Sequence, residues 1–285
     1  MADLAFGCVA MVALSAALFV LTAREARRLP PWACDLLAAL LVAGMFLYVR
    51  TLWYDPRVAT WLPVSNLIVV GNWLPLFAAA VGGLVWQRMT DHRARRLLVV
   101  AELGVGASLA LVYPLLGGVP RCGDSWDKLG TCLQTTPRTC SAACAATLLS
   151  RHGIDACEQE MAELCLTRRG TSWQGLYRGL KLKTADTAWD VEIVVLAADE
   201  LRTLRGPAIL SVGLASSASA NSDETREFGW IPGVNHSVIL NGFNSRGMAQ
   251  IADPALPMCR EQWDHETLRS LWRGYAIRLV KRERP

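Results

Sequence analysis

The sequence predicts an α+β domain that follows about four membrane-spanning helices. Four long apolar runs are confined to residues 1–118, and composition from 119 to 285 is ordinarily globular. In that second part, helical patterns come first and strand patterns later, which indicates α+β and not a doubly wound sheet. At 285 residues and 52% apolar, the chain is too long for one small domain. It contains no internal repeat.

The apolar runs are Leu4–Leu21, Leu36–Val49, Trp61–Trp86 and Leu97–Leu116. Crossing the hydrocarbon takes about 20 apolar residues, so the first, third and fourth qualify directly. The second qualifies with Pro31–Asp35 and Tyr48–Trp53 in the interface. Trp32, Trp53, Trp61 and Trp86 fall at run ends, where an aromatic belt places them. A cleaved signal peptide is the rival reading of the first run. The start Met1-Ala2-Asp3 lacks positive charge, and Arg24, Arg27 and Arg28 follow the run, so a retained anchor is expected. Glu102 is the one acid well inside a run. It stands about one turn from Arg96, and either pairs or snorkels there or has a membrane function.

Loop charge sets the expected orientation. Arg24, Arg27 and Arg28 lie between the first two runs, and Arg88, Arg93, Arg95 and Arg96 between the last two; Arg50 and Arg57 lie between the middle pair. The Arg-rich loops should stay in the cytoplasm, which puts both termini outside. The expectation is a multi-pass bacterial inner-membrane protein with a periplasmic or extracellular C-terminal domain. To residue 118 there are 9 Lys/Arg against 6 Asp/Glu, and beyond it 20 against 19, so the net charge of +4 is mostly membrane-flanking arginine. That distribution argues against nucleic acid as a partner.

Seven cysteines follow residue 118: Cys122, Cys132, Cys140, Cys144, Cys157, Cys165 and Cys259. One nucleophile plus three disulfides fits that number, and disulfides belong outside the cytosol. Buried free thiols are the alternative. Zinc is disfavoured because no Cys-x-x-Cys occurs, so neither metal nor cofactor is expected. Cys157 and Cys165 on one helix would stand about 12 Å apart, too far to bridge.

In the C-terminal part, Gly117, Gly118 and Pro120 close the membrane region. A helix is expected over Ser141–Arg151, ended by His152-Gly153. Asp155 with Glu158 resembles a capping box opening a helix to about Thr167. Thr171 with Gln174 repeats the device before a helix near Trp173–Lys181. Strands are expected at Glu192–Leu196, Ala208–Val212, Ser237–Asn241, Met248–Ala252 and Tyr275–Val280. The polar stretch Ala215–Asn235 has no apolar period and reads as an active-site flap or a disordered insertion.

Four residues form a chemical set. Cys140 heads the first of these helices, after Pro137, where unpaired N–H groups and the helix dipole favour a thiolate. Cys144, one turn deeper, should face the core. Ser237–Asn241 and Met248–Ala252 are joined by Phe243-Asn244-Ser245-Arg246-Gly247. Pairing Phe243 with Gly247 puts His236 beside Asp253 or Pro254. The carboxylate would hold the imidazole's tautomer and orientation. Gln134, six residues before Cys140, would donate to an oxyanion with a backbone N–H at the helix start. Other histidines read plainly: His92 in an Arg-rich loop, His152 at a helix end, His265 in a polar exposed stretch.

These residues resemble the bacteriocin-processing (double-glycine leader) cysteine peptidase family of papain-like domains, over about residues 130–281. Gln134-Thr-Thr-Pro-Arg-Thr-Cys140 matches its Gln six positions before the Cys. His236-Ser-Val-Ile-Leu and Ile251-Ala-Asp253-Pro254 match its His-led strand and Asp-Pro. Glu160–Leu166 with Gly170-Thr171-Ser172 is similar to its second helix and Gly-x-Ser turn. The resemblance implies a papain-like cysteine peptidase domain, residues 119–285; the apolar runs make residues 1–118 a transmembrane domain, so the peptidase follows the membrane domain where the exporter-fused members of the family precede it. It implies Cys140 as nucleophile, His236 as general base, Asp253 as orienter and Gln134 as oxyanion donor. The chain reads Thr139-Cys140-Ser141 where the family has Asp-Cys-Gly, and it carries no phosphate loop of its own.

The expected function is a membrane-anchored thiol peptidase acting through an acyl-enzyme on Cys140. A catalytically silent peptide-binding module and a Cys-dependent acyltransferase or amidase are the alternatives. Expected partners are a peptide or protein substrate, the lipid bilayer, and a separate exporter or small peptide.

Overall fold

The computed structural model describes residues 1–89, 93–217, 225, 230–255 and 260–282. They divide into two compact units, Met1–Val58 with Leu62–Leu116 and Ala59–Trp61 with Gly117–Pro285.

The first unit is helical: α1 (Ala2–Ala26), α2 (Pro31–Thr51), only Val58 of a short turn α3 (Val58–Trp61), α4 (Leu67–Val70), α5 (Leu74–Arg88) and α6 (Arg93–Val112). Four stretches are long and apolar enough to cross a membrane: Ala2–Ala26, Pro31–Thr51, Leu67–Arg88 and Arg93–Leu115. Phe6 is 73% exposed and Phe46 67%, the inverse of a water-facing surface. Helices α1 and α5 meet closely because Gly83 has no side chain; a Cβ there would stand 1.9 Å from Thr22 Oγ1. The third span is broken at Gly71-Asn72-Trp73. The polar groups freed there are met by Tyr48, whose hydroxyl donates to the Gly71 carbonyl and accepts from Trp73 N–H, and by Asn72, which donates to Ala110 O at 2.9 Å. Arg96 lies 4.1 Å over the Trp86 ring and donates to the Trp86 carbonyl.

The second unit holds α7 (Cys140–Ser150), α8 (Glu158–Leu164), α9 (Trp173–Thr184), α10 (His265–Leu271) and six strands: β1 (Trp189–Val195), β2 (Ala208–Gly213), β3 (Asn235–Phe243), β4 (Ala249–Ala252), β5 (Glu261–Trp263) and β6 (Trp272–Lys281). It is α+β, as expected. The strands make one antiparallel sheet in the order β1-β6-β2-β3-β4-β5. Leu210, Val212, Val238, Leu240 and Ile251 pack with Leu201, Trp263, Leu268 and Leu271 as one core. Helix α7 packs on β2 and β3, with Ala142, Ala143, Ala145 and Ala146 wholly buried.

Several boundaries differ from expectation. Cys157, not Asp155, caps α8, its Sγ accepting from Glu160 N–H at 3.4 Å. Ser172, not Thr171, caps α9. Strand β5 and helix α10 were hidden in a stretch too polar to show an apolar period.

The disulfides are a correction. All eight described cysteines are free thiols, while Cys259 lies outside the described residues. The reason is packing: Cys132, Cys144 and Cys165 are interior residues, exposed by 1% or less. Cys165 fills the α8–α9 contact, where a Cβ on Gly179 would stand 2.3 Å from its sulfur. The expected flap falls largely on residues 218–224 and 226–229, and His92 on 90–92, all outside the described residues.

Candidate active site

Helix α7 begins at Cys140 itself, with Thr139 as N-cap and no side-chain cap bond. The Thr139 hydroxyl is turned back, donating to Thr136 O at 2.9 Å and accepting from Thr136 N–H at 3.1 Å. The first-turn N–H groups therefore have no side-chain acceptor beside the half-buried Cys140.

The hairpin β3–β4 brings the other two groups. Its register is Phe243↔Ala249 and Gly242↔Gln250, shifting by one to Leu240↔Ile251 and Ile239↔Ala252. The loop is thus Asn244–Met248, one residue later than expected, and Gly242 at φ +129° carries the irregularity. The shift does not part the pair. His236 Nε2 and Asp253 Oδ1 are 2.8 Å apart, with the Asp253 side chain fully buried and His236 13% exposed. With Nε2 on the carboxylate, Nδ1 is the nitrogen left for the Cys140 thiol, which is hydrogen-bonded to this ring.

Electrostatics couple the two. Burial would push the Cys140 thiol up, but the His236 charge, a hydrogen bond with that ring, the Ser237 backbone N–H and the Ser141 hydroxyl outweigh it. The thiol lies below the ordinary cysteine value. Burial likewise disfavours charge on His236, yet the Cys140 thiolate and the Asp253 hydrogen bond and charge push it up to about 10. Both directions favour passage of the thiol proton to the ring. One turn deeper, Cys144 moves the other way: burial and the Cys140 charge raise it well above the usual value, and its Sγ donates to Ser237 O at 3.2 Å.

Gln134 lies in the loop before α7. Its backbone N–H donates to the Pro254 carbonyl at 3.0 Å, tying this loop to the turn that carries Asp253. Its side-chain Oε1 is buried with no protein hydrogen-bond partner. The same loop is anchored by Glu158. This carboxylate is fully buried and accepts from Thr135 N–H at 2.7 Å and Thr135 Oγ1 at 2.5 Å.

Five contributors escaped the sequence reading. Glu158 was read as half of a capping box, and nothing local reveals a long-range carboxylate. Ser141 and Ser237, whose hydroxyls share a 2.8 Å bond beside Cys140, are two ordinary serines 96 residues apart. Tyr275 is a half-buried neighbour of Cys140 whose hydroxyl bonds Ser211. Trp230 donates from Nε1 to Asp253 Oδ2 at 3.2 Å, and its ring centroid is 4.7 Å from that of His236. Its signal was one of two aromatics, with Phe228, in an otherwise polar stretch, six residues before His236.

The chain is similar to the peptidase domain of Streptococcus ComA, a bifunctional ABC transporter involved in a quorum-sensing pathway. Identity is 19% and the TM-score 0.40, over 53% of this chain and 96% of that one. It is also similar to a double glycine motif protease from an AMS/PCAT transporter in complex with the leader peptide, at 17% identity and TM-score 0.41, over 59% and 99% of the two chains. The Streptococcus mutans ComA peptidase domain gives 19% identity and TM-score 0.35, over 52% and 96%. No protein-family profile and no curated protein matches the chain. The chemistry below is therefore argued from the geometry of the site.

Proposed function

We propose that this chain is a papain-like cysteine peptidase, residues 119–285, carried on a four-helix membrane anchor, residues 1–118. The observation that carries the reading is the placement of Cys140 at the first position of α7. Its thiol is bonded to an imidazole whose other nitrogen rests 2.8 Å from the buried Asp253 carboxylate.

In this reading the Cys140 thiolate attacks the peptide carbonyl carbon. The carbonyl π electrons move onto oxygen, which receives hydrogen bonds from the Gln134 side-chain amide and a backbone N–H at the α7 start. The tetrahedral intermediate collapses, the C–N bond breaks, and the His236 imidazolium gives its proton to the leaving amine. Neutral His236 then takes a proton from water as that water attacks the thioester. Cleavage of the C–S bond restores thiolate and imidazolium. Asp253 stays ionised and holds the ring with Nδ1 toward sulfur.

Orientation in the bilayer is proposed from loop charge alone, because the free cysteines withdraw the disulfide argument for an oxidising compartment. Arg24, Arg27 and Arg28, with Arg88, Arg93, Arg95 and Arg96, place these loops in the cytoplasm and the catalytic unit outside. A C-terminal reporter active only in the cytoplasm would reverse this topology.

The deciding experiment is labelling of the full-length protein in detergent with an electrophilic thiol probe at neutral pH, together with peptide turnover. Cys140 should label first, since the other described soluble-unit thiols with a resolved shift are all raised. Cys140→Ala should remove both labelling and turnover. Turnover retained in Cys140→Ala would refute the reading.

A further inference from the structure

We propose that Trp230 is a positioning residue for this reaction: its indole N–H fixes the plane of the Asp253 carboxylate, and its ring backs the His236 imidazole. The inference rests on the peptidase reading above and adds to it a residue that touches neither substrate nor sulfur.

The geometry is specific. Asp253 is fully buried, so both carboxylate oxygens need donors from the protein. Oδ1 accepts from His236 Nε2 at 2.8 Å and from the Ala255 backbone N–H at 2.8 Å. Both of those donors sit on one oxygen and leave the plane free to turn about it. Oδ2 accepts from Trp230 Nε1 at 3.2 Å, which fixes the plane. The same indole lies 4.7 Å from the His236 ring at an interplanar angle of 52°, so one rigid side chain contacts both members of the pair.

Trp230 is itself held. It is 5% exposed, belongs to the core on β2, β3 and β4, and meets the Trp263 ring at 6.1 Å, nearly edge-on. Trp263 cannot substitute as donor, because its Nε1 is committed to Glu261 Oε2 at 2.6 Å. The ionisable groups acting on His236 are Cys140 from α7 and Asp253 after β4; Cys140 in turn acts on Cys144 of α7 and Tyr275 of β6. Trp230 adds no charge to this group. Its influence is the orientation of the carboxylate and one hydrogen bond to it.

The test is the pH dependence of Cys140 alkylation by iodoacetamide and of peptide turnover, in the full chain and in W230F. Phenylalanine keeps an aromatic ring in the core and removes the N–H. Orphaning Oδ2 weakens the hold of Asp253 on the imidazolium, so the alkaline limb should move to lower pH by about one unit, the size of one hydrogen bond to a charged group. Turnover should fall about tenfold in kcat with KM little changed, since the lost interaction orients the acid and not the substrate. Superimposed profiles for W230F and the native chain would reduce Trp230 to core packing and overturn the inference, while leaving the peptidase reading intact. A native chain whose Cys140 labelling has no pH limbs would overturn the ion pair, and this inference with it. If W230F does not fold, the native protein supplies a second measurement. The imidazolium at 4.7 Å should quench Trp230 emission, giving a fluorescence step with pH that His236→Ala abolishes; no step lost on that substitution overturns the contact.

Discussion

The two units differ in whether polar side chains converge on one another. In the helical unit, several answer backbone groups: Asn66 donates to Asp3 O at 3.1 Å, Asn72 to Ala110 O at 2.9 Å, and the half-buried Thr22 to Leu18 O at 2.9 Å. Tyr48 repairs the break at Gly71 in the same manner. Such bonds satisfy the N–H and C=O groups that an interrupted helix frees. In the C-terminal unit, Cys140, His236, Asp253, Ser141 and Ser237 answer one another, and the coupling lowers the thiol while it raises the ring.

The comparison breaks most sharply at the convergent cluster. His236→Ala should lower kcat by about 10⁶, as loss of the histidine does in an acyl-transfer triad, while Asn72→Ala should leave the rate unchanged. A similar loss from both would erase the contrast between the units. Next in size is Gln134→Ala, which removes an oxyanion donor and should cost about 10²–10³ in kcat, measured on the same peptide as the native protein.

The pH profile sharpens the comparison further. Turnover needs the thiolate and the imidazolium together. The Cys140 thiol ionises below the usual cysteine value, so the acid limb lies below that range, and His236 holds its proton up to about 10. Activity should therefore rise on the acid side below the usual cysteine range and fall on the alkaline side near pH 10. A single limb rising near pH 8.5 would describe an unpaired cysteine instead.

The smallest expected effect on chemistry comes from the glycine contacts. Gly179→Ala presses a methyl group against Cys165 Sγ, and Gly83→Ala presses one against Thr22. Each should destabilise its unit by about 1–3 kcal/mol, read from thermal unfolding, with the pH profile of Cys140 labelling unmoved.

How much of this was legible follows the range of the interactions. The four spans were readable because each depends on a contiguous apolar run, and the helix at Cys140 because its start and stop signals are local. The pairing of His236 with Asp253 was nearly as accessible, since a five-residue hairpin brings them together and tolerates the register shift at Gly242. The disulfide expectation failed because cysteine number says nothing about burial: Cys132, Cys144 and Cys165 serve as small apolar core residues.

Sequence alone determined where the long apolar runs lie, that a thiol heads a helix, and that an imidazole and a carboxylate meet at the ends of one hairpin; these depend on residues within a few positions or one turn. Only the tertiary structure decided that Glu158 anchors the Gln134 loop, that Ser141 meets Ser237, and that Trp230 holds the far oxygen of Asp253. Those contacts join residues 23 to 96 positions apart. No local pattern encodes them, because the groups become neighbours only when the sheet and α7 pack together.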